Sequence, residues 1–331
     1  MRLAESLSSP TYNMLRFALV TGCSKTSIGF VSSQILAASP HNFTVILGCR
    51  NEAKGKEAEE AIAASVPGSS VFFKKLDLSS FDSIHNFVKE IAHIDGFTEN
   101  GLSLLVNNAG IGWGKNTPLI KTENQIEEIV GVNHFGHFLL TKMLLPYLKK
   151  PKSSRIVIVS SSLHDPGANK KAGEVDKGKF LLPNFPEGIL INEKEAYDGS
   201  FAYKVSKLCN IWFGYELQRR LNDEKYNIKV VSVSPGFIPT TGLTRRSGML
   251  GLFFLHYIIP FFGVTRTVEE GARAVVGASV GEHLLGGEYV HLPRGATDVE
   301  AIQSSIESYD MDKAKDLWEL SEKVVSRDAC L

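Results

Sequence analysis

Short apolar runs alternate with longer helical patterns along most of the chain. RFALVTG reads as a buried strand running into glycine, and CSKTSIGFVSSQILAA as a polar turn that becomes a helix. FTVILGCR, residues 43 to 50, is a second strand ahead of the helical NEAKGKEAEEAIAA. SVFFKKLDLS, 70 to 79, is a third ahead of FDSIHNFVKEIAHI, and LSLLVNNAG, 102 to 110, is a fourth. Ile126, Ile129, Val130, Phe138, Leu139 and Leu144 predict one long helix over 123 to 148. RIVIVSSS, NIKVVSVSPG and GGEYVHL (286 to 292) supply the fifth, sixth and seventh strands. DMDKAKDLWELSEKVV is an amphipathic helix with Leu317, Leu320 and Val324 inward.

The strands lack period-two alternation and are separated by helices, which argues a parallel sheet covered on both faces. The expected fold is therefore α/β and Rossmann-like: a doubly wound, mostly seven-stranded parallel sheet with helices on both faces. No internal boundary is visible, so one domain over 1 to 331 is expected.

Two segments break the rhythm. Residues 163 to 199 are rich in Gly, Pro and charge, and too long for an ordinary connection, so they read either as a functional, substrate-side insertion or as a partly disordered segment. Residues 249 to 264, MLGLFFLHYIIPFFGV, are the most apolar stretch. At fewer than about 20 residues, and interrupted by His256 and Pro260, they are too short to span a bilayer. They read as a lid over a substrate site, or as a peripheral membrane contact.

Between the fifth and sixth strands lies SFAYKVSKLCNIWFGYELQRRL, 200 to 221, where Leu208, Ile211, Trp212, Tyr215 and Leu217 predict a helix with one packed face. Tyr203 and Lys207 sit one turn apart on one side of it. An ammonium beside a phenol favours the phenolate, lowering a pKa of about 10 and suiting the tyrosine to proton exchange with an alcohol or carbonyl. The pair alone occurs often by chance, and its company decides its meaning.

Composition narrows the options. The 36 basic residues balance 36 acidic ones, so no field invites nucleic acid. Cys23, Cys49, Cys209 and Cys330 form neither a C-x-x-C nor a zinc-like spacing, so no metal site is expected. Free thiols and the absence of a long apolar run near the N-terminus point to the cytoplasm or the cytosolic face of an intracellular membrane.

In doubly wound sheets ligands bind beyond the C-terminal strand ends. That gathers Gly22 to Gly29, Arg50, Asp77, Asn107 to Gly110, Ser161 and Pro235 to Gly236. Gly22 and Gly29 would let backbone approach a pyrophosphate at a helix N-terminus. An arginine directly after strand two suits a 2′-phosphate, where an acid would suit a ribose 2′-hydroxyl, so Arg50, with Lys25 as a second candidate, favours NADPH over NADH.

The ordered set TGCSKTSIG (21 to 29), LDL (76 to 78), NNAG (107 to 110), Asn133 in VNHFGHFLLT, IVIVSSS (156 to 162), Tyr203-x-x-x-Lys207 and SPGFIPT (234 to 240) resembles the short-chain dehydrogenase/reductase family over essentially the whole chain. The resemblance implies that Ser161 polarises the substrate oxygen, Tyr203 exchanges the proton and Lys207 holds the nicotinamide ribose, with Asn133 anchoring a relay water. It implies NADP(H) contacts at Gly22, Ser24, Lys25, Ser27, Ile28, Gly29, Arg50, Asp77, Leu78, Asn107, Ala109, Gly110, Pro235, Gly236, Ile238 and Thr240, besides Tyr203 and Lys207. Ser160 and Ser162 flank the chosen serine, and the VSS register favours Ser161.

AYKVSKLCN, SPGFIPTTGLTR and LWELSEKVV are most similar to the retinol dehydrogenase and light-dependent protochlorophyllide reductase branch. The latter reductases usually carry cysteine in the turn where Phe237 stands here. Steroid 3-ketoreductases are another similar group. The glycine turn is one residue longer than the family's T-G-x-x-x-G-x-G, with Ser27 near the central glycine's place. A Cβ there crowds a pyrophosphate unless the longer turn moves the chain aside. The implied activity is NADPH-dependent reduction of a carbonyl on a hydrophobic retinoid, steroid or long-chain substrate, and a homodimer is among the expected partners. A protochlorophyllide reductase-like double-bond reductase and a non-catalytic NADPH-sensing scaffold are the alternatives.

Overall fold

The computed structural model describes residues 15–112, 118–165, 197–239 and 265–326. Eight strands form one sheet: β1 (Arg16–Thr21), β2 (Phe43–Cys49), β3 (Val71–Lys75), β4 (Leu102–Asn107), β5 (Ser154–Val159), β6 (Ile228–Ser234), β7 (Glu288–His291) and β8 (Glu300–Ile302). Their order is β3-β2-β1-β4-β5-β6-β7-β8. Neighbours pair parallel from β3 through β7, and β8 closes the edge antiparallel to β7.

The eighth strand corrects the seven-stranded expectation. It is a three-residue Glu-Ala-Ile edge with no buried side chain, so it has no apolar run to announce it. Pairing with Tyr289–His291 defines it instead.

The central strands are apolar throughout because both faces are covered. In β1, Phe17 and Leu19 enter one buried cluster while Ala18 and Val20 enter the other. Ile156 and Ile158 of β5 face the first cluster, and Val157 and Val159 the second. Each of the Val, Leu, Ile and Phe side chains among them contributes roughly 1.5–3 kcal/mol on burial.

The helices are α1 (Ile28–Ala37), α2 (Glu52–Ser65), α3 (Phe81–Ile91), α4 (Phe97–Asn100), α5 (Glu128–Val130), α6 (Gly136–Leu148), α7 (Gly199–Asp223), α8 (Val268–Val280) and α9 (Met311–Ser326). The first cluster lies under α3, α6, α7 and α9, and the second under α1, α2 and α8.

The helix expected over 123 to 148 starts later and is interrupted. Gln125 has φ +60 and ends any helix there. Glu127 then caps α5, its carboxylate accepting from Ile129 N at 2.9 Å and Val130 N at 2.7 Å. A π-helical turn, Gly131–Phe135, separates α5 from α6. The apolar positions read from the sequence are nonetheless buried.

The Tyr203 helix, α7, is capped by Asp198, whose Oδ1 accepts from Ser200 N at 2.8 Å. It is buried on more than the one face expected. Gly214 lets it approach β6: a Cβ there would lie 2.6 Å from Ser232 Oγ. Its far side is covered by α9, where Leu317, Leu320 and Val324 are inward as expected. Trp318 meets Phe138 edge-on at 5.0 Å, and the Arg220 guanidinium lies 4.5 Å from the Trp318 ring centre.

Of the irregular segments singled out in the sequence, residues 166–196 of the insertion and all of 249–264 lie outside the described residues, as do Thr240 and Cys330. Among the described residues no helix is long and apolar enough to cross a membrane.

One packing contact gives a direct test of the layer spacing. A Cβ on Gly136 would lie 2.4 Å from the Leu78 carbonyl oxygen, a backbone atom that cannot rotate away. Gly136→Ala is expected to destabilise the protein by about 1–3 kcal/mol despite alanine's better helix propensity. Urea unfolding monitored by circular dichroism measures this; an unchanged midpoint would show that α6 and the Leu78 turn separate freely.

Candidate active site

The strand order reverses between β1 and β4, so their C-terminal ends diverge and open a crevice. The turn after β1 is held tightly there. Gly22 has φ +78, and its N–H donates to Gly48 O at 2.7 Å. A Cβ on Gly22 would lie 2.8 Å from Ala109 Cα, and one on Gly29 would lie 2.6 Å from Asn108 Nδ2. The β1 and β4 turns approach too closely for side chains at either position.

The extra residue of the glycine turn is absorbed by Thr26, at φ +70. Ser27 N then bonds Ser24 O at 2.9 Å. The Ser27 hydroxyl folds back onto its own loop, donating to Gly22 O at 2.9 Å and accepting from Phe30 N at 3.1 Å. Ser27 is thus the N-cap of α1, and Ile28 and Gly29 are buried in its first turn.

Thr21, which the sequence did not single out, joins the two sides of the crevice. Its Oγ1 accepts from Asn108 N at 3.0 Å and Ala109 N at 2.9 Å, and lies 3.0 Å from His137 Nε2. His137 Nδ1 lies 3.1 Å from Asn133 O, so Nδ1 carries the proton and Nε2 accepts from the threonine. Burial holds the His137 pKa down to about 4, with the Asn133 carbonyl opposing and Lys207 adding to the shift. The signal was present as His137 four residues after Asn133, one helical turn away.

Asn133 lies in the π-helical turn with its amide fully committed. Oδ1 accepts from Ile111 N at 2.8 Å, while Nδ2 donates to Ile111 O at 3.1 Å and Ser206 Oγ at 3.0 Å. It clamps the backbone after β4 and leaves no side-chain donor for a water. Ser206 passes the connection on by donating to Tyr203 O at 2.7 Å.

Ser161, Tyr203 and Lys207 come together as expected. The Ser161 side chain lies near enough to the Tyr203 phenol to draw its pKa down. Lys207 Nζ donates to Val159 O at 3.1 Å and lies 5.6 Å from the Tyr203 ring centre. Ser160 is distinguished from its neighbour because its hydroxyl is buried and donates to Lys207 O at 2.8 Å. Ser162 is exposed. A Cβ on Gly110 would lie 3.4 Å from Asn133 Oδ1 and 3.5 Å from Lys207 Nζ, so Gly110 borders this group.

The electrostatics reverse one expectation. Tyr203 is 6% exposed and Lys207 3%. Burial pushes the Tyr203 phenol up to about 12, with Ser161 opposing it, and draws Lys207 down to about 8. Loss of water disfavours both charges and outweighs the lysine's attraction for a phenolate. The phenol is therefore a protonated donor at neutral pH.

Of the remaining candidates, Arg50 is exposed at the end of β2 with no ion-pair partner among the described residues. Lys25 is paired with Glu57 at 3.2 Å on the surface. Asp77 Oδ1 accepts from Ser79 N at 3.0 Å and Ser79 Oγ at 2.7 Å, shaping the turn in which Leu78 is buried. Asn107 Nδ2 donates to Thr141 Oγ1 at 2.8 Å, while its buried Oδ1 has no partner among the described residues. After β6, Pro235 leads to Gly236 at φ +88, over which the Arg266 side chain lies. Ile238 is buried and Phe237 is 40% exposed.

A model of the short chain dehydrogenase family matches residues 16–171. Protochlorophyllide reductase B, chloroplastic, of Hordeum vulgare is 34% identical over 325 residues, covering 93% of this chain and 78% of that protein. Retinol dehydrogenase 14 of Homo sapiens is 33% identical over 296 residues, covering 85% and 78%. Among solved structures, that of an uncharacterised protein from Mycobacterium paratuberculosis matches with a TM-score of 0.68 and 27% identity, covering 94% of this chain and 93% of that one. With the strand-end motifs assembled around one crevice, these matches establish that the chain belongs to the short-chain dehydrogenase/reductase family, a family of nicotinamide-dependent oxidoreductases.

Proposed function

We propose that the protein reduces a carbonyl on a hydrophobic substrate with NADPH, Tyr203 donating the proton. The observation that carries this reading is the buried Tyr203, protonated at neutral pH, with Ser161 beside its phenol and Lys207 one turn below. The nicotinamide cofactor supplies the hydride when bound. Ser161 orients the substrate oxygen and stabilises the negative charge it gains, and the Tyr203 hydroxyl protonates that oxygen. Lys207 holds the ribose. Asn133 keeps the floor of the site rigid through Ile111 and Ser206.

The residues present fit NADP(H). Gly22 and Gly29 let the β1 turn close against the β4 turn, and Ser27 caps the helix whose N-terminus would meet a pyrophosphate there. Ser24, Ser27 and Ile28 would line the pyrophosphate, with Asp77 and Leu78 at the adenine. Asn107, Ala109 and Gly110 would flank the ribose side, and Pro235, Gly236 and Ile238 the nicotinamide. Arg50 is the better 2′-phosphate ligand, because Lys25 already pairs with Glu57.

Relatives named for retinol and protochlorophyllide support an extended, mainly apolar substrate. The exposed Phe237 ring beside Gly236 suits one. A second reading, reduction of a carbon–carbon double bond, is supported by the protochlorophyllide reductase likeness. It would use the same tyrosine, and Phe237 has no proton to contribute to it. A set of aldehydes and ketones of increasing apolar size, offered with NADPH, tests the reading. Reduction of the larger carbonyls supports it, whereas NADPH binding without turnover of any would favour the sensing role.

Tyr203→Phe should lower kcat by about 10²–10⁴-fold while leaving the Kd for NADPH within a few-fold. Stopped-flow turnover and fluorescence titration measure the two quantities, and near-normal turnover would remove Tyr203 as the donor.

Arg50→Asp should weaken NADPH by about 1.5–3 kcal/mol, roughly 10- to 150-fold in Kd, and NADH far less. Calorimetric titration of both nucleotides makes the comparison; equal losses would exclude Arg50 as the discriminator.

Lys207 gives a pH dependence whose sign is fixed. Its folded pKa, about 8, lies below the unfolded value near 10.4, so the ammonium is lost as pH rises through 8. The kcat/KM profile should therefore fall on a basic limb near pH 8 in the free enzyme. Between about pH 8 and 10.4 the same group makes the fold more stable as pH rises, since the unfolded chain binds the extra proton. Lys207→Arg, which stays protonated, should lower activity and abolish the limb. A limb that persists in that variant would have to be assigned elsewhere.

A further inference from the structure

Beyond β5 the chain turns away from the sheet through Ser161 and a 3-10 turn, Ser162–His164. His164 is 1% exposed, and both ring nitrogens are engaged. Nδ1 lies 2.6 Å from Ser161 O, and Nε2 lies 3.0 Å from Ser305 N. A backbone N–H can only donate, so Nε2 is the acceptor and the proton resides on Nδ1, which donates to Ser161 O. The same carbonyl also accepts from His164 N at 3.1 Å.

The other side of the imidazole is fixed as firmly. Its ring meets Tyr289 of β7 edge-on, centres 5.0 Å apart. Ser305 leads into the 3-10 turn Ile306–Tyr309, where Glu307 O accepts from the Trp212 indole at 3.1 Å. Trp212 is on α7, the helix that carries Tyr203. A chain of contacts therefore runs from Ser161 through His164, Ser305 and Glu307 to the helix of Tyr203, the phenol that Ser161 influences from the other side.

We infer that His164 is a positioning residue for the reaction: it fixes Ser161 against Tyr203 by holding the serine's carbonyl with Nδ1–H while Ser305 holds Nε2. The inference rests on Ser161 as the residue that meets the substrate oxygen. Burial keeps the imidazole neutral by pushing its pKa down, against the Ser161 carbonyl and Asp165, which favour the charged form. Neutrality is what the chain of contacts requires, since a proton on Nε2 would confront the Ser305 N–H. The hydroxyl of Ser161 also accepts from Leu163 N at 3.2 Å, so its direction depends on how the short turn is held.

The two nitrogens can be tested apart. In H164N the amide nitrogen takes the place of Nδ1 and can still donate to Ser161 O, but the Nε2 acceptor is gone. In H164Q the amide oxygen reaches the place of Nε2 and can accept from Ser305 N, but the Nδ1 donor is gone. With the largest carbonyl that the unmodified protein reduces, H164Q should lose roughly 10- to 100-fold in kcat, the order expected for a displaced orienting group. Its KM for NADPH should stay within threefold. H164N should keep kcat within about threefold while losing thermal stability. Crystal structures of the two variants provide a readout independent of substrate: the Ser161 hydroxyl should keep its place beside the Tyr203 phenol in H164N and leave it in H164Q.

Equal losses of kcat in the two variants, following their melting temperatures, would show an ordinary packing residue and overturn the inference, as would an unmoved Ser161 hydroxyl in H164Q. S161A separates this from the reading beneath it. An active S161A removes the role of Ser161 itself, whereas an inactive S161A beside a fully active H164Q removes only that of His164.

Discussion

The crevice depends on a single hydroxyl. Where β1 and β4 diverge, Asn108 N reaches back to Val106 O at 2.9 Å while the next N–H, that of Ala109, has no backbone partner among the described residues, and a buried unpaired amide costs about 1–3 kcal/mol. Thr21 Oγ1 accepts from both, Asn108 N and Ala109 N, and gives its own proton to His137. Through His137 and Asn133 the same atom reaches the π-helical turn and the Ile111 backbone. A bound nucleotide would meet a floor whose hydrogen bonds are already made.

On that floor, dehydration dominates the chemistry. Tyr203 and Lys207 are close enough to interact, yet each is displaced toward its neutral form. Proximity in sequence suggests Coulomb attraction, whereas burial in three dimensions removes the water that would stabilise either ion. For a reductase this is favourable, because the proton must be present on the donor before it can be transferred.

The sequence pattern carried the sheet and the order of its motifs because apolar strands buried on both faces leave continuous runs, as in FTVILGC. Ser161, Tyr203 and Lys207 were readable because each belongs to a local motif that the sheet brings together. Three features were not readable in this way. The edge strand Glu300–Ile302 exists only through pairing, the helix break at Gln125 depends on a positive φ, and Tyr203's raised pKa depends on burial from several elements. Ser27 illustrates the difference well. Its identity suggested obstruction, but the side chain turns inward as a cap, a direction that one-dimensional spacing does not encode.

The docking of α9 also has a consequence for biosynthesis. His134 Nε2 donates to Ser321 Oγ at 2.9 Å, across 187 positions of sequence, and the Phe138 and Phe213 rings flank the histidine. At about 5–20 residues per second, a ribosome needs on the order of 10–40 s to make the chain between those partners. During that interval this aromatic surface, which adjoins the Asn133 turn, has no α9 to cover it. The nascent chain can pair its early strands before then, but its aromatic face stays open to chaperones and to other chains until the helix emerges.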